Sequence, residues 1–326
     1  MSFVINNSEI IRLPIYKKWA EHLLNKNSRL TGLVLAGLHK EIVDSPPEYI
    51  KIETTNACNA KCVYCPRDKM TRPIGSMGTS LFSQIIDEVV DWGISTIHLQ
   101  NYGEPLIDPY IIDRIRYSKQ KGVKYITLFT NAALLNNSMA IKLIDAGLDE
   151  FNISIDPGTK EMHNNIRCNL SYEEIVGNIG NLINLRKSNK LFRPKIILSS
   201  NIYHGNKNDV INFIDRWKEV VDEIHLQDVH NWALKDSENH RHRFPCQRLW
   251  LTFTILWDGR VSICCVDYDG KYILGDVRKS TIKEIWNSEE YSKMRLFHLK
   301  MNPQINICKN CTLRRKDSPL WIKKIL

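Results

Sequence analysis

Three cysteines, Cys58, Cys62 and Cys65, lie within the eight-residue segment CNAKCVYC. Closely spaced cysteines on a loop bind zinc or iron–sulfur clusters, because a loop can direct several thiolates toward one centre. A structural zinc ion takes four ligands, and a catalytic zinc ion usually includes histidine or carboxylate ligands. Three thiolates alone suit a cubane iron–sulfur cluster with one iron left open for another ligand.

The composition supports metal binding by these thiols. The chain has 326 residues, nine of them cysteines. The N-terminus lacks the basic and then apolar layout of a signal peptide, and no run of about 18 apolar residues occurs, which predicts a cytoplasmic protein without a membrane span. Thiols stay reduced in that compartment and an odd number cannot pair completely, so a disulfide framework is excluded.

The charge of the chain suggests one further class of partner. Lysine and arginine total 45 against 36 acidic residues, a formal net charge of +9. Such an excess suits an anionic substrate or RNA. However, the dense basic segments are limited to residues 241–243 and 314–324, and an RNA-binding surface requires a basic stripe with aromatic side chains. Nucleic acid is therefore not the expected partner.

The elements that position the first thiols are predicted to form an α/β fold. Two amphipathic helices are expected at residues 9–25 and 29–42, and Pro46 and Pro47 end that arm. Helical segments, such as residues 81–93 and 207–221, then alternate with six strands. The predicted strands cover residues 49–55, 96–102, 124–130, 150–156, 195–203 and 223–229. This alternation predicts a parallel sheet with helices outside.

Polar residues recur at every second position along three of these strands. By the period of two, each group shares one face of its strand: His98 with Gln100; Asn152 with Ser154 and Asp156; His225 with Gln227. Buried parallel strands are usually continuous apolar runs, and a single buried polar residue is usually a satisfied core group. Three strands with the same pattern predict a curved, barrel-like sheet whose interior holds a polar ligand.

A smaller unit is predicted after residue 232. Polar and charged residues from Asn231 to Pro245 mark a linker. Two β-type runs then flank Asp258 and Gly259, a dipeptide that favours a tight hairpin, and residues 280–298 have helical spacing. We therefore divide the chain into an N-terminal helical arm (1–48), a barrel (49–232) and a small α+β unit (233–326).

The first thiol segment resembles the signature of the radical S-adenosylmethionine (SAM) superfamily, CxxxCxxC with an aromatic residue before the last cysteine. Tyr64 occupies the aromatic position, at the end of the first strand. The resemblance implies that Cys58, Cys62 and Cys65 hold a 4Fe-4S cluster whose fourth iron binds the amino and carboxylate groups of SAM. It also implies a partial (βα)6 TIM-like barrel, in agreement with the six strands.

Other segments resemble elements that bind SAM in this superfamily. Gly103 and Glu104, in the segment NYGEP, are similar to the GGEP element that receives the ammonium group of SAM, with Tyr102 in place of the first glycine. This segment ends a predicted strand, where ligands of parallel α/β folds gather. The other positions that the resemblance assigns to the cofactor are Thr130, Asn131, Ser154, Asp156 and Arg167, the last as a partner of the SAM carboxylate.

The C-terminal cysteines resemble a second cluster motif. Cys246, Gly259, Cys264 and the CxxC pair Cys308 and Cys311 match the CX(9-15)GX4C…CX2C arrangement of SPASM and Twitch extensions. No cysteine follows this pair, so the resemblance implies the shorter Twitch type, with one auxiliary 4Fe-4S cluster bound by Cys246, Cys264, Cys308 and Cys311. Zinc bound by four cysteines is an alternative, although zinc ribbons usually pair two CxxC segments.

Two cysteines remain outside these sets. Adjacent residues of a strand point to opposite faces, so Cys265 is expected to face away from a cluster bound by Cys264. Cys265 is either a small buried residue or a thiol that donates a hydrogen atom to a substrate radical. Cys168 is expected to have no role.

The resemblance implies radical chemistry on a small molecule. A flavodoxin or ferredoxin reduces the first cluster, SAM is cleaved, and a 5′-deoxyadenosyl radical removes hydrogen from substrate. A sugar or aminocyclitol fits the donors and acceptors offered by His98, Gln100, Asn152, His225, Gln227 and Asp228. Because similar Twitch enzymes include aminocyclitol dehydrogenases, the expected reaction is oxidation of a secondary alcohol to a ketone.

Several alternatives stay open. Epimerisation of a sugar would use Cys265 as hydrogen donor. Peptide modification is disfavoured because the arm before residue 48 is too short for a leader-binding domain, and RNA modification predicts an affinity that falls steeply with salt. A non-catalytic iron–sulfur sensor or a zinc-stabilised binding module would not cleave SAM.

Overall fold

The computed structural model describes residues 45–202, 207–230, 232, 246, 248–300, 302 and 304–311. The two predicted N-terminal helices, the basic segments at 241–243 and 314–324, and nearly all of the predicted linker lie outside the described residues. Within those ranges, no helix is long and apolar enough to cross a membrane.

Most strands of the described residues belong to one sheet. The strands are β1 (Tyr49–Ile52), β2 (Lys61–Cys62), β3 (Thr96–Leu99), β4 (Tyr125–Thr130), β5 (Glu150–Ser154), β6 (Arg167–Cys168), β7 (Lys195–Ile202), β8 (Glu223–Asp228), β9 (Thr252–Ile255), β10 (Arg260–Ser262) and β11 (Ile273–Asp276). The large sheet has the order β11-β10-β9-β1-β3-β4-β5-β7-β8, while β2 and β6 form a separate antiparallel ribbon. The six predicted strands are confirmed as β1, β3, β4, β5, β7 and β8, and each pairs in parallel with its neighbours.

Ten α-helices occur among the described residues. They are α1 (Thr79–Asp91), α2 (Ile111–Lys121), α3 (Asn137–Asp145), α4 (Lys160–Ile166), α5 (Tyr172–Ser188), α6 (Lys207–Trp217), α7 (Arg248–Leu251), α8 (Ile282–Trp286), α9 (Glu289–Leu299) and α10 (Asn306–Lys309). Ile50, Ile52, Ile97 and Leu99 are completely buried in one core with α1. The residues that alternate with them, such as Lys51 and His98, therefore face the barrel interior.

The hairpin predicted around Asp258 and Gly259 is confirmed, and it continues the barrel sheet. Gly259 adopts a φ of +89°, which the turn requires and most other residues avoid. The first hairpin strand, β9, pairs in parallel with β1, so that Thr252 lies opposite Tyr49. One ladder of hydrogen bonds thus joins the C-terminal region to the barrel.

Two local predictions are wrong. The helical segment at 280–298 is divided into α8 and α9, because the Ser288 hydroxyl accepts a hydrogen bond from Tyr291 N and starts a new helix. The second hairpin strand ends at Ser262 after an irregularity at Val261, so Cys264 and Cys265 do not lie on a strand. The alternation of strand faces therefore does not apply to these two thiols.

Candidate active site

The loop after β1 carries the first three thiols, and no disulfide bond forms among the described residues. Burial raises the pKa of Cys65 to about 11, and the nearby thiols of Cys62 and Cys58 oppose its ionisation further. Three half-buried thiols that resist ionisation suit a cationic group that binds them as thiolates. This donor set fits an iron–sulfur cluster.

The segment that resembles GGEP packs directly on this loop. A Cβ atom at Gly103 would lie 2.0 Å from the carbonyl oxygen of Thr55, so only glycine allows this approach. Glu104 N donates to the Ala57 carbonyl at 2.8 Å. The close packing brings the end of β3 against the thiol loop that follows β1.

Glu104 also connects this segment to the end of β4. Its carboxylate accepts hydrogen bonds from Thr130 Oγ1 and Asn131 N, both at 2.7 Å. Asn131 Nδ2 in turn donates to Asn59 Oδ1 in the thiol loop at 2.8 Å. Burial raises the pKa of Glu104 to about 7, although its hydrogen-bond donors act in the opposite direction. A carboxylate of this kind can receive the ammonium group of a ligand.

Asp156 and Arg167 form a buried ion pair beside the same loop. Arg167 Nε lies 2.9 Å from Asp156 Oδ2 and Nη2 lies 3.1 Å from Oδ1, which also accepts from Asn201 N. The guanidinium carbon of Arg167 is 5.5 Å from the centre of the Tyr64 ring. Asp156 therefore holds the guanidinium group of Arg167 in place, and Arg167 in turn contacts the thiol loop. Ser154 lies at the end of β5, opposite Ser199.

Polar atoms without hydrogen-bond partners line the barrel interior. His98 Nδ1, Gln100 Oε1, Asn152 Oδ1 and Ser199 Oγ are all buried and unpartnered. The His98 ring stacks on Tyr49 at 4.1 Å. Burial lowers the pKa of His98 to about 3, and the positive charge of Lys51 adds to this effect, so the imidazole is neutral. Buried polar atoms of this kind require a ligand or water.

Two of the other three predicted interior residues already have partners. His225 Nε2 lies 2.8 Å from Glu223 Oε2, and Gln227 Nε2 donates to Asn201 Oδ1 at 3.1 Å. The side chain of Asp228 lies outside the described residues. The interior therefore offers most of its unpartnered atoms on β5, β7 and the end of β3.

The structure also gathers the second set of thiols. Burial raises the pKa of Cys264 well above its ordinary value, and Cys265, Cys308, Cys246 and Cys311 raise it further. Cys308 and Cys311 are each 8% exposed. Within the described ranges, no three His, Cys, Asp or Glu side chains form a site for a single metal ion. A cubane cluster does not require such convergence, because each thiolate binds a different iron.

Cys265 occupies a basic environment that the sequence pattern did not indicate. Arg248 Nη1 lies 3.3 Å from its Sγ atom, and Lys51 also forms a hydrogen bond with the thiol. Burial opposes ionisation, but Arg248 and Lys51 outweigh it and lower the pKa of Cys265 to about 7. Cys168, predicted to have no role, donates to the Asn165 carbonyl.

An aromatic pair that sequence reasoning missed links the two groups of thiols. Tyr102 lies 5.6 Å from Trp232 between ring centres, and Trp232 Nε1 donates to the carbonyl of Tyr64 at 2.6 Å. The only signal for this pair was the departure of Tyr102 from the GGEP pattern.

The chain belongs to the radical SAM superfamily, whose model matches residues 52–221. An iron–sulfur cluster-binding domain of the SPASM type matches residues 246–312. The partial barrel and the cofactors expected from the sequence are thereby confirmed: SAM, its 4Fe-4S cluster and an auxiliary 4Fe-4S cluster.

Known proteins that are similar to this chain differ in the activities and ligands that their names state. A probable GTP 3′,8-cyclase of Metallosphaera sedula is 27% identical over 194 residues, which cover 59% of this chain and 59% of that relative. BtrN in complex with AdoMet and 2-DOIA has a TM-score of 0.58 at 17% identity, over 83% of this chain and 94% of BtrN. Streptococcus suis SuiB bound to precursor peptide SuiA has a TM-score of 0.65 at 13% identity, over 96% of this chain and 77% of SuiB. The two structural likenesses show the fold alone.

Proposed function

We propose that this protein oxidises a secondary alcohol of a hydroxyl-rich or amino-bearing small molecule, such as a sugar or aminocyclitol, to a ketone. When bound, SAM and its cluster supply a 5′-deoxyadenosyl radical that removes one hydrogen atom, and the auxiliary cluster supplies an acceptor for the second electron. The observation that carries the proposal is the set of buried, unpartnered polar atoms in the barrel interior.

These atoms match the groups of such a substrate. Gln100 Oε1 and Asn152 Oδ1 can accept hydrogen bonds from hydroxyl or ammonium groups, and Ser199 can donate or accept. His98 stays neutral at physiological pH because its pKa is about 3. It therefore serves as a hydrogen-bond partner and not as a base. An apolar substrate would leave all four groups without partners at a cost of about 1–3 kcal/mol each.

The cofactor ligands proposed from the sequence fit this arrangement. We assign Cys58, Cys62 and Cys65 to the SAM-binding cluster, and Cys246, Cys264, Cys308 and Cys311 to the auxiliary cluster. Glu104 and Asn131 would hold the ammonium end of SAM, and Arg167 its carboxylate.

Iron counting after anaerobic reconstitution tests the ligand assignment. About eight irons per chain are expected, and about four should remain in either Cys62→Ala or Cys308→Ala. Cys168→Ala is the matched control and should keep the full iron content. Full iron in either of the first two variants would contradict the assignment.

Anaerobic turnover of substrates deuterated at the alcohol carbon tests the reaction. The expected products are deuterated 5′-deoxyadenosine and a ketone, formed in equal amounts. Gln100→Leu and Asn152→Leu should raise KM, because each removes an acceptor for the substrate. Formation of 5′-deoxyadenosine from SAM without any two-electron oxidised product would exclude dehydrogenation. GTP belongs in the substrate panel because of the relative from Metallosphaera sedula.

Epimerisation is the second candidate, and the position of Cys265 favours it. Its thiol forms a hydrogen bond with Lys51, which is buried on a strand of the barrel. Epimerisation predicts one deuterium at the inverted carbon in deuterated water, and Cys265→Ala should then uncouple SAM cleavage from product formation. Dehydrogenation predicts no deuterium in the product.

A further inference from the structure

Two cations, the buried Lys51 and the half-buried Arg248, meet at one thiol. Both contact the sulfur of Cys265, and Lys51 is only 5% exposed. In the part of the chain that the structure describes, neither cation has a carboxylate partner. Glu53, which lies two residues after Lys51 and just beyond β1, is occupied by Arg72 through two hydrogen bonds of 2.6 Å.

One of these cations, Arg248, also acts on the auxiliary thiols. Arg248 begins α7, two residues after Cys246, and its guanidinium group interacts with Cys265 and also with Cys246 and Cys264. Val266 N provides a further hydrogen bond to Cys264 Sγ at 3.4 Å. The nearby imidazole of His98 adds no positive charge to this group, because it is neutral.

An unpaired charge held out of water is costly, so the buried Lys51 beside Arg248 favours a nearby anion. A 4Fe-4S cluster held by four thiolates is anionic, and reduction makes it more so. Net charge and hydrogen bonds near the sulfur atoms are known to set the reduction potential of such clusters. Fixed positive charges stabilise the reduced form relative to the oxidised form.

We propose that Lys51 and Arg248 are the counter-charges of the auxiliary cluster, and that they raise its reduction potential so that it accepts the substrate electron. In that step the substrate radical loses one electron and one proton to become the ketone; the electron reduces the auxiliary cluster and the proton passes to water. This inference rests on the ligand assignment and on the oxidation proposed above.

A potentiometric titration of the reconstituted holoprotein, followed by electron paramagnetic resonance without substrate, tests the inference. Lys51→Met and Arg248→Met should each shift the auxiliary midpoint potential to more negative values, and the double variant should shift it further. Arg248→Lys keeps the charge and should shift it less. The potential of the SAM-binding cluster should change less than that of the auxiliary cluster in every variant.

Unchanged auxiliary potentials in both methionine variants, at full iron content, would overturn the inference. If Arg248→Met fails to assemble, Lys51→Met decides the question alone. Arg114→Met is the control, because it removes a buried cation that is paired with Asp108 on the outer side of the barrel. It should lower stability without moving either potential.

The titration uses no substrate, so its outcome is independent of the proposed reaction. If a ketone forms but the potentials do not shift, the role of the two cations is refuted and the proposed oxidation is not. If the potentials shift but no ketone forms, the proposed oxidation is refuted and the role of the two cations is not.

Discussion

The hydroxyl of Tyr102 donates a hydrogen bond to the backbone carbonyl of Cys265, which lies 163 residues further along the chain. Tyr102 precedes Gly103, where the loop after β3 meets the first thiol loop. Cys265 follows Cys264, a thiol of the second set. One side chain therefore joins the segment that resembles GGEP to the auxiliary region.

Tyr102→Phe should keep both clusters, but a smaller share of SAM cleavage events should lead to product. The variant loses one hydrogen bond, about 1 kcal/mol of stability, and releases the loop that carries Cys264 and Cys265. We expect more 5′-deoxyadenosine per product than in the parent protein. Tyr110→Phe, at a half-exposed tyrosine on the outer helices, is the control. An unchanged ratio would show that the hydrogen bond has no role in coupling.

SAM binding should weaken as the pH falls below about 7, the pKa of Glu104. Only the ionised carboxylate attracts an ammonium group, so the affinity should fall by up to about tenfold per pH unit. Titration calorimetry from pH 8 to 6 measures this effect. Glu104→Gln should bind weakly at every pH, with a flatter profile. A parent profile as flat as that of the variant would contradict the prediction.

The raised pKa of Glu104 has the opposite effect on stability in the absence of SAM, because a lower pH then stabilises the folded protein. The pKa of Glu104 is raised in the folded protein from an ordinary value of 4.5, so the folded state binds the proton more tightly than the unfolded chain. Its contribution to the free energy of unfolding should therefore increase as the pH falls from about 7 to 4.5. Denaturant titrations of the parent and of Glu104→Gln isolate this contribution.

Gly103→Ala should impair SAM binding. The added Cβ atom would lie 2.0 Å from the Thr55 carbonyl oxygen, and relief of that clash should cost about 1–3 kcal/mol. Gly177→Ala is the matched control, because no atom lies within 4 Å of its added Cβ atom. That control should gain about 0.5–1 kcal/mol in α5. Normal SAM affinity in Gly103→Ala would show that the loop can move aside.

The Asp156–Arg167 pair should depend on both partners. Asp156→Ala leaves a buried cation unpaired and should destabilise the protein by about 3–5 kcal/mol. The double variant, with both Asp156→Ala and Arg167→Ala, should lose less stability. Asp113→Ala breaks the exposed pair with Arg116 and should cost at most about 1 kcal/mol. Additive losses at Asp156 and Arg167, measured by denaturant unfolding, would contradict the coupling.

The sequence predicted the features that depend on local patterns. Strand and helix alternation marks each βα unit, and the cysteine spacing marks the first thiol loop. Ser288 shows the limit of periodicity: the apolar residues Trp286 and Tyr291 on either side continue a helical pattern, but the Ser288 hydroxyl caps a new helix.

Features that join distant segments were not predicted. The turn at Gly259 forms a hairpin locally, whereas the pairing of Thr252 with Tyr49 depends on the folded barrel. Lys51 alternates with isoleucines as an exposed residue on a two-faced strand would, and nothing near Arg248 indicates its partner. His225 is a local exception: its partner Glu223 is only two residues away on the same strand face, and this contact leaves less of its polar capacity for a ligand than the pattern implied.

The parallel pairing of β9 with β1 has a consequence for how this protein tolerates truncation. Removal of the chain after residue 246 would strip β1 of a neighbour and leave a bare sheet edge that can template aggregation. The auxiliary region therefore covers one edge of the barrel sheet. We expect the two regions to unfold together as one cooperative unit.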